Sequence, residues 1–131
     1  VQLSVAVRNA RLDAIETTIG ATAVLKIRSG SVPADCATAD AGTVLATLTL
    51  PSDWMAAASS GSKAKSGTWQ DTSADATGTA AHFRIYDSGG TVCGLQGTVG
   101  VGSGDLQVDS TSFTSGQSFS ITGFTITDGN A

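Results

Sequence analysis

Charge and aromatic side chains are scarce in this 131-residue sequence, at 14% and 5% of the chain, with one histidine and two cysteines. Lys and Arg nowhere form the cluster that neutralises phosphates, so we expect no nucleic-acid partner. No apolar run approaches the roughly 20 residues that span a bilayer, so we expect no membrane partner. Residues 1–11 lack the apolar segment typical of a signal peptide, although a mature secreted chain has the same appearance.

The same scarcity argues against catalysis, cofactors and metals. His82 is the only histidine available for a serine–histidine–aspartate arrangement, and its alternation with Phe83 predicts an outward position on a strand. The aspartates lie mostly in turns beside Gly, Ser or Thr, where carboxylates bond to the backbone. Neither they nor the cysteines have the spacing of a metal site. We therefore predict no enzyme, no catalytic residue, no cofactor and no metal ligand.

Cys36 and Cys93 are the two cysteines, and each lies beside strand-like sequence. The sequence allows either a disulfide between them or two free thiols. For a protein made in a reducing cytoplasm, buried free thiols are favoured.

What the chain does contain is small residues, since Ala, Thr, Ser and Gly make up more than half of it. Threonine-rich sequence interrupted by Gly is typical of short strands and turns. About eight short strands are indicated, among them those around residues 23–28, 44–50, 67–70, 79–86, 91–99, 106–108 and 117–127. We predict one domain, residues 1–131, mainly β over 22–127, with a jelly-roll-like antiparallel β-sandwich fold.

The N-terminal segment is the exception, because its apolar residues have helical spacing. Those on one face are Val5, Leu12, Ile15 and Ile19. Ser4 is a typical N-cap and Gly20 a typical left-handed stop, so an amphipathic helix is predicted over 5–19.

The last predicted strand has a break in its alternation. Phe119 and Ile121 alternate, and the pattern then slips by one residue at Gly123 before Phe124 and Ile126. Such a slip at a glycine predicts a β-bulge. We expect the first pair to pack in the domain's own core and the second to face a neighbouring subunit.

Low charge on a β-protein raises the question of what protects its surface. Either Ser and Thr keep the chain in solution or another subunit covers part of it. The residues that we select as candidate interface positions are Arg8, Arg11, Trp54, Met55 and Trp69. Aromatic and Arg side chains dominate protein interfaces. Burial in the core is nevertheless favoured for each tryptophan, and Trp54 with Met55 is the preferred interface candidate.

Several segments together resemble a family of small virion proteins of tailed bacteriophages and prophages. They are residues 8–20, 24–28, 45–50, 75–85, 96–99 and 124–131. The resemblance runs over nearly the whole chain and lies in structural segments, without a catalytic signature.

The resemblance implies a capsid decoration (cement) protein that stabilises the head shell by multivalent packing. Its expected partners are the major capsid protein or other virion proteins, and further copies of itself in a homo-oligomer. Its expected location is the virion, assembled in the host cytoplasm. A head–tail, neck or tail structural protein is the alternative, and a carbohydrate-binding or adhesion β-sandwich is a further one.

Overall fold

The computed structural model describes residues 1–129, which form one helix and ten strands. In chain order the elements are α1 (Val5–Ile19), β1 (Val24–Arg28), β2 (Val44–Thr49), β3 (Ser62–Ala64), β4 (Gln70–Asp71), β5 (Gly78–Thr79), β6 (His82–Tyr86), β7 (Cys93–Gly100), β8 (Leu106–Val108), β9 (Ser112–Phe113) and β10 (Phe119–Thr127). The mainly β class with an N-terminal helix is thus confirmed.

Eight strands belong to one sheet, in the order β2-β1-β6-β7-β8-β10-β3, with β4 also paired to β10. Strands β5 and β9 form a separate two-stranded sheet. The pair β7–β8 is parallel, which corrects the expectation of a purely antiparallel sandwich. Residues 101–105 turn the chain back over a short distance, with Gly102 and Gly104 at positive φ and the Asp105 carboxylate accepting the Thr98 N–H at 2.8 Å.

Helix α1 begins and ends where the sequence predicts. The Ser4 hydroxyl accepts the N–H of Val7 at 3.3 Å, and the N–H of Gly20 (φ 97°) donates to the carbonyl of Glu16 at 2.8 Å. Its apolar face is narrower than expected, because Leu12 is buried but Val5 is 46% exposed.

The core lies on one face of the main sheet and is centred on a chain of four aromatic rings. Trp54 contacts Trp69 at 6.0 Å between ring centroids, Trp69 contacts Phe124 at 5.6 Å, and Phe124 contacts Phe83 edge-to-face at 5.6 Å. Leu25 and other buried aliphatic side chains surround these rings. Segment 54–65 folds back on itself through the bridges Met55–Lys65 and Ser59–Ser62.

The predicted bulge in β10 is present, since the pairing with β8 shifts register between Ile121 and Gly123. The expectation that Phe124 and Ile126 face a neighbouring subunit is wrong. Phe124 is only 5% exposed and Ile126 packs against the same core as Phe119. The bulge therefore keeps both halves of the strand on the domain's own core.

Both faces of β6 are buried, which corrects the outward position predicted for His82. Phe83 and Ile85 face the core, while His82, Arg84 and Tyr86 on the opposite face are 0%, 2% and 1% exposed. Residues 29–43, here called the cover loop, contact these polar side chains through hydrogen bonds. Alternation locates the two faces of a strand but does not reveal a loop that covers one of them.

Cys36 of the cover loop and Cys93 of β7 form a disulfide, with Cα atoms 5.3 Å apart. Buried free thiols, which the sequence favoured, are therefore wrong. The bond joins residues 57 positions apart and fixes the middle of the cover loop to the main sheet.

Candidate functional site

Three of the five candidate interface residues lie in the core. Trp54 is 0% exposed and Met55 and Trp69 are each 1% exposed. The indole N–H of Trp54 donates to the carbonyl of Gly20 at 3.0 Å, and that of Trp69 donates to the carbonyl of Ser66 at 3.0 Å. Side chains enclosed by their own chain present no surface to a partner, so these three are corrected to core positions.

The two arginines of the set remain near the surface, on helix α1. The Arg11 side chain is 59% exposed and its Nε lies 3.2 Å from the Asp128 carboxylate. Arg8 is partly buried, and its Nη1 donates to the backbone carbonyl of Asp128 at 3.0 Å. Both side chains thus join α1 to the residue that follows β10. Whether they also contact a partner stays a prediction.

Polar side chains fix α1 to the 54–65 segment, an arrangement that the sequence analysis missed. Asn9 and Asp13 accept the backbone N–H groups of Gly61 and Ala58, each at 2.9 Å. Glu16 accepts the N–H of Met55 at 3.2 Å. Asn9, Asp13 and Glu16 are separated by four and three residues, the spacing that places side chains on one side of a helix. That spacing was the available signal, but it is also typical of a solvated face.

Lys63 lies at the centre of this contact and is only 3% exposed. Its Nζ lies 2.7 Å from the Asp13 carboxylate, 3.1 Å from that of Glu16 and 2.9 Å from the Ala56 carbonyl. Burial alone would lower the pKa of Lys63, but hydrogen bonds to Asp13 and Glu16 reverse this and raise it. The hydrogen bond from Lys63 in turn lowers the pKa of Asp13. The lysine is therefore charged and ties the helix to the sheet.

A groove runs beside α1, between the helix and the start of β7. Its first part has a volume of about 500 Å³ and is lined by Arg11, Ile15, Ile19 and Val92 among others. A second part of about 420 Å³ shares Ile15 and Gly94 with the first and extends towards β10. Gly94 allows the close approach of the helix, because a Cβ at this position would lie 2.7 Å from Ile19 Cδ1. Val92 is 63% exposed, so the groove wall is partly apolar.

A buried polar group lies under the cover loop, on the face of the sheet opposite the core. We call Arg28, Arg84, Tyr86 and Asp40 the arginine cluster. Asp40 Oδ1 accepts from Arg84 Nη1 at 2.8 Å and from the Tyr86 hydroxyl at 2.6 Å, and its Oδ2 accepts from Arg28 Nη2 at 3.0 Å. Burial alone would raise the pKa of Asp40, but the bonds from Tyr86 and Arg84 outweigh it and lower that pKa. The cluster holds an ionised carboxylate between two guanidinium groups.

Backbone carbonyls of the cover loop complete the partners of the cluster. Arg84 Nη2 donates to the carbonyls of Asp35 and Thr38, each at 2.9 Å. His82 Nδ1 lies 2.8 Å from the Gly30 carbonyl, so this nitrogen carries a proton. Alternation placed His82, Arg84 and Tyr86 together, but nothing local in the sequence indicated Asp40 as their partner.

Within residues 1–129, no group of three or more His, Cys, Asp or Glu side chains is placed to hold a metal ion. Helix α1, the only helix in the described part of the chain, is too short to cross a membrane.

Comparisons of the chain with protein-family models, with curated proteins and with solved structures give no match.

Proposed function

We propose that this chain is a structural protein of a tailed-bacteriophage virion, most specifically a capsid decoration protein that stabilises the head shell. The observation that carries the proposal is the set of sequence segments that resemble such proteins over nearly the whole chain. The partner in this proposal is the major capsid protein, and neighbouring copies of the chain complete a homo-oligomer on the lattice. Weak contacts repeated on a regular lattice add up to a large stabilisation.

The outer side of α1 supports this proposal as a docking surface. Val7 is 47% exposed, and Arg11 lies one turn further along the same side of the helix, beside the groove. An exposed surface that combines an apolar side chain with an arginine suits a protein partner. The helix is also held rigidly, through Lys63 and Asp128, so docking there would order few additional groups.

The disulfide is compatible with a virion, because disulfides persist on virion and cell surfaces after exposure to an oxidising medium. It equally suits a secreted adhesion module, the further alternative. An adhesion module that binds sugars would need exposed aromatic side chains to stack on them, and Trp54 and Trp69 are buried. A neck or tail position remains the alternative within the virion.

The proposal is tested on particles assembled with and without this chain. We expect capsids that lack it to release DNA at a lower temperature, and quantitative mass spectrometry to find hundreds of copies per complete head. Val7→Gln and Arg11→Gln should reduce binding to capsids, whereas Val32→Gln, in the cover loop, should leave binding intact. Equal thermal stability with and without the chain would exclude the cement role, and six or twelve copies per particle would indicate the neck.

A further inference from the structure

The arginine cluster resembles a binding site for a carboxylate ligand, in which the side chain of Asp40 takes the place of the ligand. The three groups that hold the carboxylate lie on the main sheet: Arg28 on β1, and Arg84 and Tyr86 on β6. The carboxylate of Asp40 comes from the cover loop, and its side chain is 42% exposed. The holding groups are thus buried and fixed, while the occupant approaches from the solvent side.

The holding groups are positioned by the sheet. Strands β1 and β6 pair in register with Arg28 opposite His82 and Lys26 opposite Arg84, so their side chains project from the same face. Arg84 Nε donates to the Gln96 side chain on β7 at 3.0 Å, which fixes its guanidinium plane. A planar guanidinium fixed in this way matches the geometry of a carboxylate.

The site also has polar atoms that Asp40 leaves unused. Arg28 Nε and His82 Nε2 are buried and form no hydrogen bond within residues 1–129. Buried polar atoms normally have a partner, because an unpaired one loses its hydration without compensation. This face of the sheet therefore has hydrogen-bonding capacity that the described residues do not use.

The cover loop is held almost entirely by polar contacts and the disulfide. Within the described part of the chain, none of its residues belongs to the hydrophobic core cluster. Besides the bonds from Arg84, its contacts include Gln96 Nε2 to the Pro33 carbonyl at 2.6 Å and Cys36 to Cys93. Segments with few apolar contacts open at lower free energy than the core does, so this loop can leave while the sheet stays folded.

We propose that Arg28, Arg84 and Tyr86 form a binding site for a small carboxylate, occupied at rest by Asp40, and that the Cys36–Cys93 disulfide controls whether Asp40 can be displaced. With the disulfide intact, the resident carboxylate is held at a high effective concentration and excludes an external one. With the disulfide open, the loop is held by its hydrogen bonds and by the buried Pro33, and an external carboxylate competes. This inference does not depend on capsid binding.

The opening step is a thiol–disulfide exchange with a dithiol reductant. Its thiolate attacks one sulfur of the pair and releases the other as a thiolate, which takes up a proton. The second thiol of the reductant then resolves the mixed disulfide, so the reductant is oxidised to its own disulfide and Cys36 and Cys93 both become thiols. Both cysteines are partly exposed, and Cys93 also lines the groove beside α1, so a reductant has access.

The site itself is tested with Asp40→Gly, which removes the resident carboxylate. The unfolding midpoint is measured at pH 7 in sodium acetate, with sodium chloride at equal ionic strength and acetamide as matched controls. We expect acetate alone to raise the midpoint, by about 2–5 °C. The rescue should be absent in the oxidised natural sequence and in Asp40→Gly combined with Arg84→Gln. If Asp40→Gly is unfolded without ligand, recovery of β-sheet circular dichroism in acetate is the same readout.

No acetate-specific rescue, by either readout, would overturn the carboxylate site. Inorganic phosphate forms a further arm, and a response to phosphate that equals the response to acetate would overturn carboxylate selectivity. Control by the disulfide is tested by titrating ¹³C-acetate into the natural sequence with and without dithiothreitol. We expect binding only in the reduced protein, with Cys36→Ser behaving as reduced under both conditions. Equal binding in both redox states would overturn the control.

Discussion

Phe124 connects the two tryptophans of the core to Phe83. Its ring contacts Trp69 on one side and Phe83 on the other, each at 5.6 Å between centroids. It reaches this position because the bulge after Ile121 changes the phase of β10. The sequence located the slip, since a glycine in broken alternation is a local signal. It did not predict where the second half points, which depends on how β10 pairs with β8 and β3.

Phe124→Ala should therefore behave as a core truncation. We expect a loss of about 3–5 kcal/mol in the free energy of unfolding, because burial is lost and a cavity remains between two rings. Urea denaturation measures the change. Gly123→Ala is the matched control, since its Cβ would meet Gln107 Oε1 at 3.5 Å, an ordinary contact, and we expect a cost below about 1 kcal/mol. A stable Phe124→Ala variant that fails only in assembly would instead identify Phe124 as an interface residue.

At the scale of elements, α1 is attached to the rest of the domain largely through polar side chains, and Leu12 is its one buried residue. The sequence predicted its bounds correctly, because Ser4, Gly20 and the apolar spacing act locally. It could not predict that Asp13 and Glu16 hold the 54–65 segment, since their partners come from residues 39 to 50 positions away. For Trp54 and Trp69 the sequence favoured burial in the core, and the structure confirms it.

Lys63→Met tests this polar attachment. Methionine keeps most of the lysine volume but leaves the carboxylates of Asp13 and Glu16 facing each other without a cation. We expect a loss of about 1–3 kcal/mol, less than for a fully buried pair, because Asp13 is 46% exposed. Hydrogen exchange should show the loss concentrated in α1 and segment 54–65. Lys65→Met, which removes a bond to the Gly67 carbonyl and a cation–π contact with Trp69, is the control and should cost under about 1 kcal/mol. Equal effects would mean that the ion pairs contribute nothing specific.

At the scale of the whole molecule, the main sheet has an apolar layer on one side and a polar layer on the other. The apolar side is the aromatic core, and the polar side is the arginine cluster under the cover loop. Composition predicted a mainly β chain, but it gave no indication of a polar layer, because composition does not show which charges the fold brings together. Lys26, Arg28 and Arg84 lie on one face of β1 and β6, and Asp35 and Asp40 lie in the cover loop.

The polar layer makes stability depend on pH in a defined direction. The pKa of Asp40 is lowered by Tyr86 and Arg84 against the effect of burial, and that of Asp35 by hydrogen bonds from Thr38. A carboxyl whose pKa is lower in the folded state stabilises the fold above its unfolded pKa of about 3.9, and this contribution disappears as the pH falls through the folded value. The unfolding midpoint should therefore change little from these groups between about pH 5 and 8 and fall below about pH 4.

Asp40→Asn measures how much of the fall in the unfolding midpoint at low pH is due to the arginine cluster. Asparagine keeps the shape but has no charge, so we expect a lower midpoint at pH 7 and a shallower decline between about pH 4 and 2. Asp13→Asn should remove a different share, because Lys63 lowers the pKa of that carboxyl at the helix contact. Since the two carboxyls share no partner, their effects should add in the double variant. A scan of the midpoint against pH for the four proteins measures this. An unaltered acid decline in Asp40→Asn would mean that the cluster does not couple protonation to folding.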